Sequence, residues 1–159
     1  MAFSLKDLEL EMHNNKKSVL LLSMPFALTS IPSIQLALLE EYLKEHSINV
    51  KTRHLYIKAA EFYGLNNYSF LINNPNDSYT AQMVFSKYVF PEHYTKNKEK
   101  LKEYFNKETK ENKEIQKQFS FEQFIERTDL FYHWVIENID WNSYDLIGFT
   151  LNYGQFLPS

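Results

Sequence analysis

With 159 residues, 44% of them hydrophobic and 23% charged, the chain falls in the range of a single globular domain with one core. A formal charge of −3 argues against a general nucleic-acid binder, which needs a basic face to neutralise phosphates. Zero cysteine excludes disulfides, cysteine-ligated zinc, a thiol nucleophile and a CxxxCxxC cluster motif.

The first 16 residues form a polar lead in which Lys6, Asp7, Glu9 and Glu11 do not follow the basic-then-apolar layout of a signal peptide. The apolar run Val19 to Leu22 is far shorter than the roughly 20 residues that span a bilayer. These readings predict a cytoplasmic protein with no membrane contact.

From residue 17 to 159 the pattern predicts one α/β domain. Ser18 to Phe26 is a continuous apolar run closed by Pro25, as in a strand buried on both faces. A loop with Pro32 follows, and then a helix from Ile34 to His46, with Ser33 as N-cap and Leu36, Leu39 and Leu43 at helical spacing. Ile48 to Tyr56 alternates apolar and polar side chains, as in a strand with one solvated side or at an edge. Strand, helix and strand make a right-handed crossover, and hence a parallel sheet.

Residues of about 57–118 read as a helical insertion. Ala59, Ala60, Phe62 and Tyr63 mark one helix, Ala81, Met83, Val84, Phe85 and Tyr88 another, and Asn73 to Asp77 the turn between them. Lys96 to Lys117 is dense in Lys, Glu and Asn and reads as an exposed helical excursion anchored by Leu101, Tyr104, Phe105 and Ile115. Ser120 and Gln123 have the spacing of a capping box, and a stripe of Phe121, Phe124, Ile125, Tyr132, Val135 and Ile139 predicts a core-facing helix that ends near Asn138. Asp145 to Leu151 reads as a third buried strand. The expected fold is therefore a partial Rossmann-like parallel sheet of three strands with flanking helices. A doubly wound sheet normally carries more strands and a further helix, so the expectation includes an unfinished sheet edge open to self-association.

Open α/β sheets bind ligands outside the carboxyl ends of their strands. That directs attention to Ser23, Met24, Pro25 and Phe26 after the first strand, and to the segment from Thr150 to Gln155 after the last. Neither is a phosphate-binding loop, because three glycines cannot build GxGxxG or GxxxxGKS. The five histidines, His13, His46, His54, His93 and His133, form no i, i+4 pair with a carboxylate, so no metal site is expected. No GxSxG elbow is present, and the helical carboxylates read as solvated faces. No catalytic residue is assigned. The aromatic stretch Tyr79 to Tyr94 offers either a stacking surface or a core contact.

The ordered set Val19 to Phe26, Pro32 to Leu36, Leu55 to Ile57, Phe62 to Leu65 and Trp141 to Thr150 resembles the N-terminal domain of cobalamin-dependent radical-SAM enzymes that modify ribosomally made peptides. The resemblance implies a cobalamin-binding module of a methyltransferase-type enzyme, not catalytic by itself, with a precursor peptide as a further partner. It places the iron-sulfur cluster and S-adenosylmethionine in a barrel beyond Ser159. The first loop lacks the Asp and His of the DxHxxG pattern, so no protein histidine on cobalt is implied. By the same resemblance Ser23, Met24, Pro25 and Phe26, together with Thr150, Leu151 and Asn152 at an SxL-like segment, face the cofactor. Pro25 and Phe26 would wall the corrin, while Thr150 and Asn152 would bond the nucleotide tail. The alternative is a cofactor-free interaction module that docks a partner protein or peptide through Tyr79 to Tyr94.

Overall fold

A computed structural model describes residues 17–73, 78–110, 112–151 and 154–159. The polar lead 1–16, most of the expected turn at Asn74 to Asp77, and Asn152 lie outside the described residues. Strands β1 (Ser18–Ser23), β2 (Asn49–His54) and β3 (Leu146–Thr150) form one parallel sheet in the order β2-β1-β3. Val19 aligns with Val50 on one side and with Leu146 on the other. This is the expected α/β fold with a three-stranded, Rossmann-like parallel sheet.

β1 is central because its side chains are apolar on both faces of the pleat. Val19 and Leu21 point to one face and pack under helix α1 (Ile34–Glu45), which presents Leu36 and Leu43 to them. Ser33 caps α1, its Oγ accepting the Leu36 N–H at 3.3 Å. Leu39, expected on the same stripe, is 44% exposed instead. On the other face Leu20, Leu22 and Met24 enter the main core.

That core is built by α2 (Leu55–Tyr63), α3 (Leu65–Asn73), α4 (Ser78–Met83), α5 (Ser86–Val89), α6 (Pro91–Lys110), α7 (Lys113–Gln118) and α8 (Phe121–Asn138). In α8 the buried side chains are Phe121, Phe124, Thr128, Phe131 and Val135, a spacing of three and four that keeps one face inward. Its capping box is formed: Ser120 Oγ accepts the Gln123 N–H at 3.2 Å, and Gln123 Oε1 accepts the Ser120 N–H at 2.9 Å. After one 3₁₀ turn (Trp141–Ser143) the chain enters β3. The Asp145 carboxylate accepts the Ser18 N–H at 2.7 Å, which pins the start of β3 to β1 and holds this carboxyl below its usual range.

Three expectations are corrected. β2 ends at His54 and not at Tyr56, because Leu55 and Tyr56 turn directly into α2 and bury both side chains there. β3 is not a buried strand: it is an edge, with Leu146 61% and Phe149 39% exposed. The Lys- and Glu-rich stretch is less of an excursion than its composition suggests. α6 and α7 bury Leu101, Phe105, Thr109 and Ile115 while Tyr104 remains exposed, so one narrow apolar seam is enough to hold two charged helices on the core.

Candidate cleft at the carboxyl end of the central strand

After Ser23 the chain cannot continue as strand, since Pro25 has no N–H to give to a neighbour. Met24 and Pro25 are buried, and Phe26 follows in the left-handed region at φ +72. A non-glycine residue held there costs about 1–3 kcal/mol unless its surroundings fix it. Tyr68 of α3 supplies that fixation. Its hydroxyl accepts the Phe26 N–H at 2.8 Å and donates to the Ala27 carbonyl at 2.9 Å, so a single side chain satisfies both polar groups of the turn. The Phe26 ring stacks on Tyr68 at 6.2 Å and meets Tyr63 and the edge of Phe85 at 6.1 and 6.0 Å. Burial pushes the Tyr68 phenol above its ordinary range, so the group stays a neutral donor.

Tyr68→Phe keeps the ring and removes the clamp. It leaves the buried Phe26 N–H without its partner, at about 1–3 kcal/mol, and the part-buried Ala27 carbonyl without its donor, at about 1 kcal/mol. Chemical denaturation should show a loss of about 2–4 kcal/mol. A loss within the error of the measurement would show that the hydroxyl does not hold the turn.

The C-terminal segment closes over the same strand end. Gln155 is fully buried, and its Nε2 donates to Ser23 Oγ at 3.3 Å and to the Met24 carbonyl. Gly154 lies against Phe26, where an added Cβ would stand 3.4 Å from the Phe26 Cβ. The Thr150 hydroxyl donates to the Leu22 carbonyl at 3.5 Å. The space directly beyond β1 and β3 is thus filled by a glutamine side chain that faces back into the sheet.

Beside this plug an open cleft of about 500 Å³ remains. Its walls are Phe26, Ala27, Leu28, Ile31 and Pro32 from the loop, Tyr56 from α2, and Leu71 and Ile72 from α3. The N-terminal turn of α1 contributes Ser33, Ile34 and Gln35, and Ser23 and Gly154 complete the lining. The surface is mostly apolar with a few hydroxyl and amide groups, the usual make-up of a small-molecule site. The cleft lies where α1 leaves β1 toward one face and the remaining helices occupy the other. This is the position at which open α/β sheets take ligands.

Of the residues the sequence pointed to, Ser23, Phe26 and Gly154 line the cleft. Met24 and Pro25 are buried and do not line it, because the pleat turns Met24 into the helical layer. Thr150 spends its hydroxyl on β1, and Leu151 is 60% exposed and outside the lining. Gln155 ends the segment the sequence singled out and serves as the plug, while the residues that sequence reasoning missed are Tyr68 and the loop side chains Leu28 and Ile31. Nothing local marks a tyrosine in α3 as the partner of a turn 42 positions earlier.

The aromatic stretch that ends at Tyr94 serves the core. Phe85 is buried, Tyr88 stacks on Tyr132 at 3.8 Å and donates to the Asp129 carboxylate, and Tyr94 packs on the same cluster. Phe90 is half exposed. Among the described residues no group of three or more His, Asp or Glu is placed to hold a metal, and no helix is long and apolar enough to cross a membrane. No family model, no curated protein and no solved structure matches the chain.

Proposed function

We propose that this chain is a cobalamin-binding module of a radical-SAM, peptide-modifying enzyme of the methyltransferase type, and that the β1 cleft is where it meets the cofactor. The observation that carries the reading is the position and lining of that cleft: an open, apolar hollow at the carboxyl end of the central parallel strand, with Phe26 and Ser23 in its wall. The family resemblance names the ligand, and the shape suits it in one respect. A large flat ligand needs an open wall rather than an enclosed cavity, and Phe26, Leu28 and Ile31 offer one.

Cobalamin, when bound, supplies a carrier for methyl groups. The chain's own contribution is binding and exclusion of water. The apolar loop would cover one edge of the ligand, while the hydroxyl of Ser33 and the amide of Gln35 would give polar contacts to orient it. Gln155, buried under the loop and bonded to Ser23, would form the floor of the site.

Ile31 is 55% exposed at the rim, and its replacement by tryptophan fills the hollow without touching the core. Equilibrium dialysis against hydroxocobalamin should show binding by the native chain and a loss of about tenfold or more in Ile31→Trp, equivalent to about 1.4 kcal/mol. Equal binding by the two proteins places the ligand elsewhere. The second reading is a cofactor-free module that docks a partner protein or peptide. It is favoured by the apolar rim of Leu28, Ile31 and Ile34, exposed at 43, 55 and 69%.

A further inference from the structure

The unpaired polar groups that border the β1 cleft are hydrogen-bond donors. α1 is twelve residues long, and its start, Ser33, Ile34 and Gln35, forms part of the wall. Ser33 Oγ accepts the Leu36 N–H and the Ser33 carbonyl accepts the Ala37 N–H, but the N–H groups of Ile34 and Gln35 have no partner among the described residues. Aligned peptide dipoles place about half a positive elementary charge at this end of a helix. An acidic residue in the first turn would answer it, and α1 has none. Its first carboxylate, Glu40, comes only in the second turn and pairs with Lys44 at 2.8 Å.

The helical layer supplies an independent donor. Tyr56 of α2 lines the cleft and is only 2% exposed, yet its hydroxyl has no hydrogen-bond partner among the described residues. The polar atoms sealed off without a partner there are Thr52 Oγ1, His54 Nδ1 and the Tyr94 hydroxyl. The Tyr56 hydroxyl is not one of them, and so opens onto the cleft that its side chain lines. It also lies within electrostatic reach of the Tyr68 phenol, which is bonded to Phe26 and Ala27 of the same wall. Burial raises the Tyr56 phenol above its ordinary range, so the group stays a neutral donor.

We infer that the cleft takes an oxyanion-bearing ligand, with its phosphate or carboxylate group at the N–H groups of Ile34 and Gln35, the Tyr56 hydroxyl donating to the same ligand, and its apolar part along Phe26, Leu28 and Ile31. Charge decides for an anion. No carboxylate lines the cleft to repel one or to attract a cation, while the helix dipole and the unpaired donors all favour negative charge. The inference rests on the reading of the cleft as the ligand site, but not on the ligand being cobalamin, whose phosphodiester is one group of this class.

The test follows the backbone amides of the isotope-labelled full chain by NMR while sodium phosphate is added at constant ionic strength, with acetate and chloride as parallel titrants. Phosphate or acetate should shift the Ile34 and Gln35 amides to saturation, the tighter of the two naming the group, and chloride should not. Tyr56→Phe should weaken the response about tenfold. Ile34→Pro should weaken it by a similar factor, read at Gln35. Proline suits the first helical position, Ser33 before it is already extended, and only one N–H is lost. The same spectra show that each variant is folded. No saturable shift with either oxyanion, an equal shift with chloride, or a response that either variant leaves unchanged overturns the inference. A chain that retains hydroxocobalamin but ignores both oxyanions overturns this inference alone. A chain that binds phosphate and not hydroxocobalamin upholds it and overturns the cobalamin reading.

Discussion

Phe124→Ala is expected to remove about 3–5 kcal/mol of stability, the largest loss of any single substitution considered, because this ring is the meeting point of the helical layer. Phe124 is fully buried. It stacks on Phe105 of α6 at 5.2 Å and contacts Phe119, Tyr63 of α2 and Phe121 at 5.9, 5.9 and 6.5 Å. Truncation to alanine forfeits its transfer energy and leaves a cavity lined by rigid rings, which cannot collapse as aliphatic side chains do. Since the total stability of a domain is about 5–15 kcal/mol, the variant should be largely unfolded in mild urea, with circular dichroism as the readout. A loss below about 1 kcal/mol would show that these aromatic contacts do not hold the layer together.

Raising the pH should unfold the protein more steeply than an average domain. Tyr63 and Tyr68 are completely buried, and burial drives both phenols well above their ordinary range. In the unfolded chain they ionise near pH 10. Between that value and their folded-state values the native state holds more protons than the unfolded one. Stability is therefore fully present below about pH 10 and falls as pH rises above it. Each group contributes about 1.4 kcal/mol per pH unit in that window, or about 3 kcal/mol per unit for the pair. Ultraviolet titration of tyrosinate should show a cooperative, late step that coincides with loss of helical circular dichroism. A smooth titration of all tyrosines with the fold intact would contradict the burial assigned to these two.

The parts legible in the sequence are those set by neighbours in the chain. The all-apolar run of β1, the Ser33 cap and the capping box of Ser120 and Gln123 each depend on residues a few positions apart, and the structure contains all three. Where tertiary partners decide, the sequence was silent or misleading. The apolar composition of β3 fits a buried strand and an uncovered edge equally well, because composition does not say what lies beside it. Leu55 and Tyr56 continue the apolar content of β2, yet both serve α2, whose packing on α8 and β1 overrides the strand pattern.

The candidate site divides in the same way. The strand-end rule led to Ser23 and Phe26, which line the cleft. It could not separate them from Met24, because the pleat that turns Met24 away is visible only once the register is known. The Tyr68 clamp and the Gln155 plug act across 42 and 132 positions, distances at which spacing in the sequence carries no signal.

Cobalamin binding is tested by mixing the purified, folded chain with excess hydroxocobalamin, desalting it, and recording its visible spectrum. Colour should be retained in proportion to protein. A colourless chain that keeps its native circular dichroism would contradict the cofactor reading and leave the apolar rim as the docking surface of a partner.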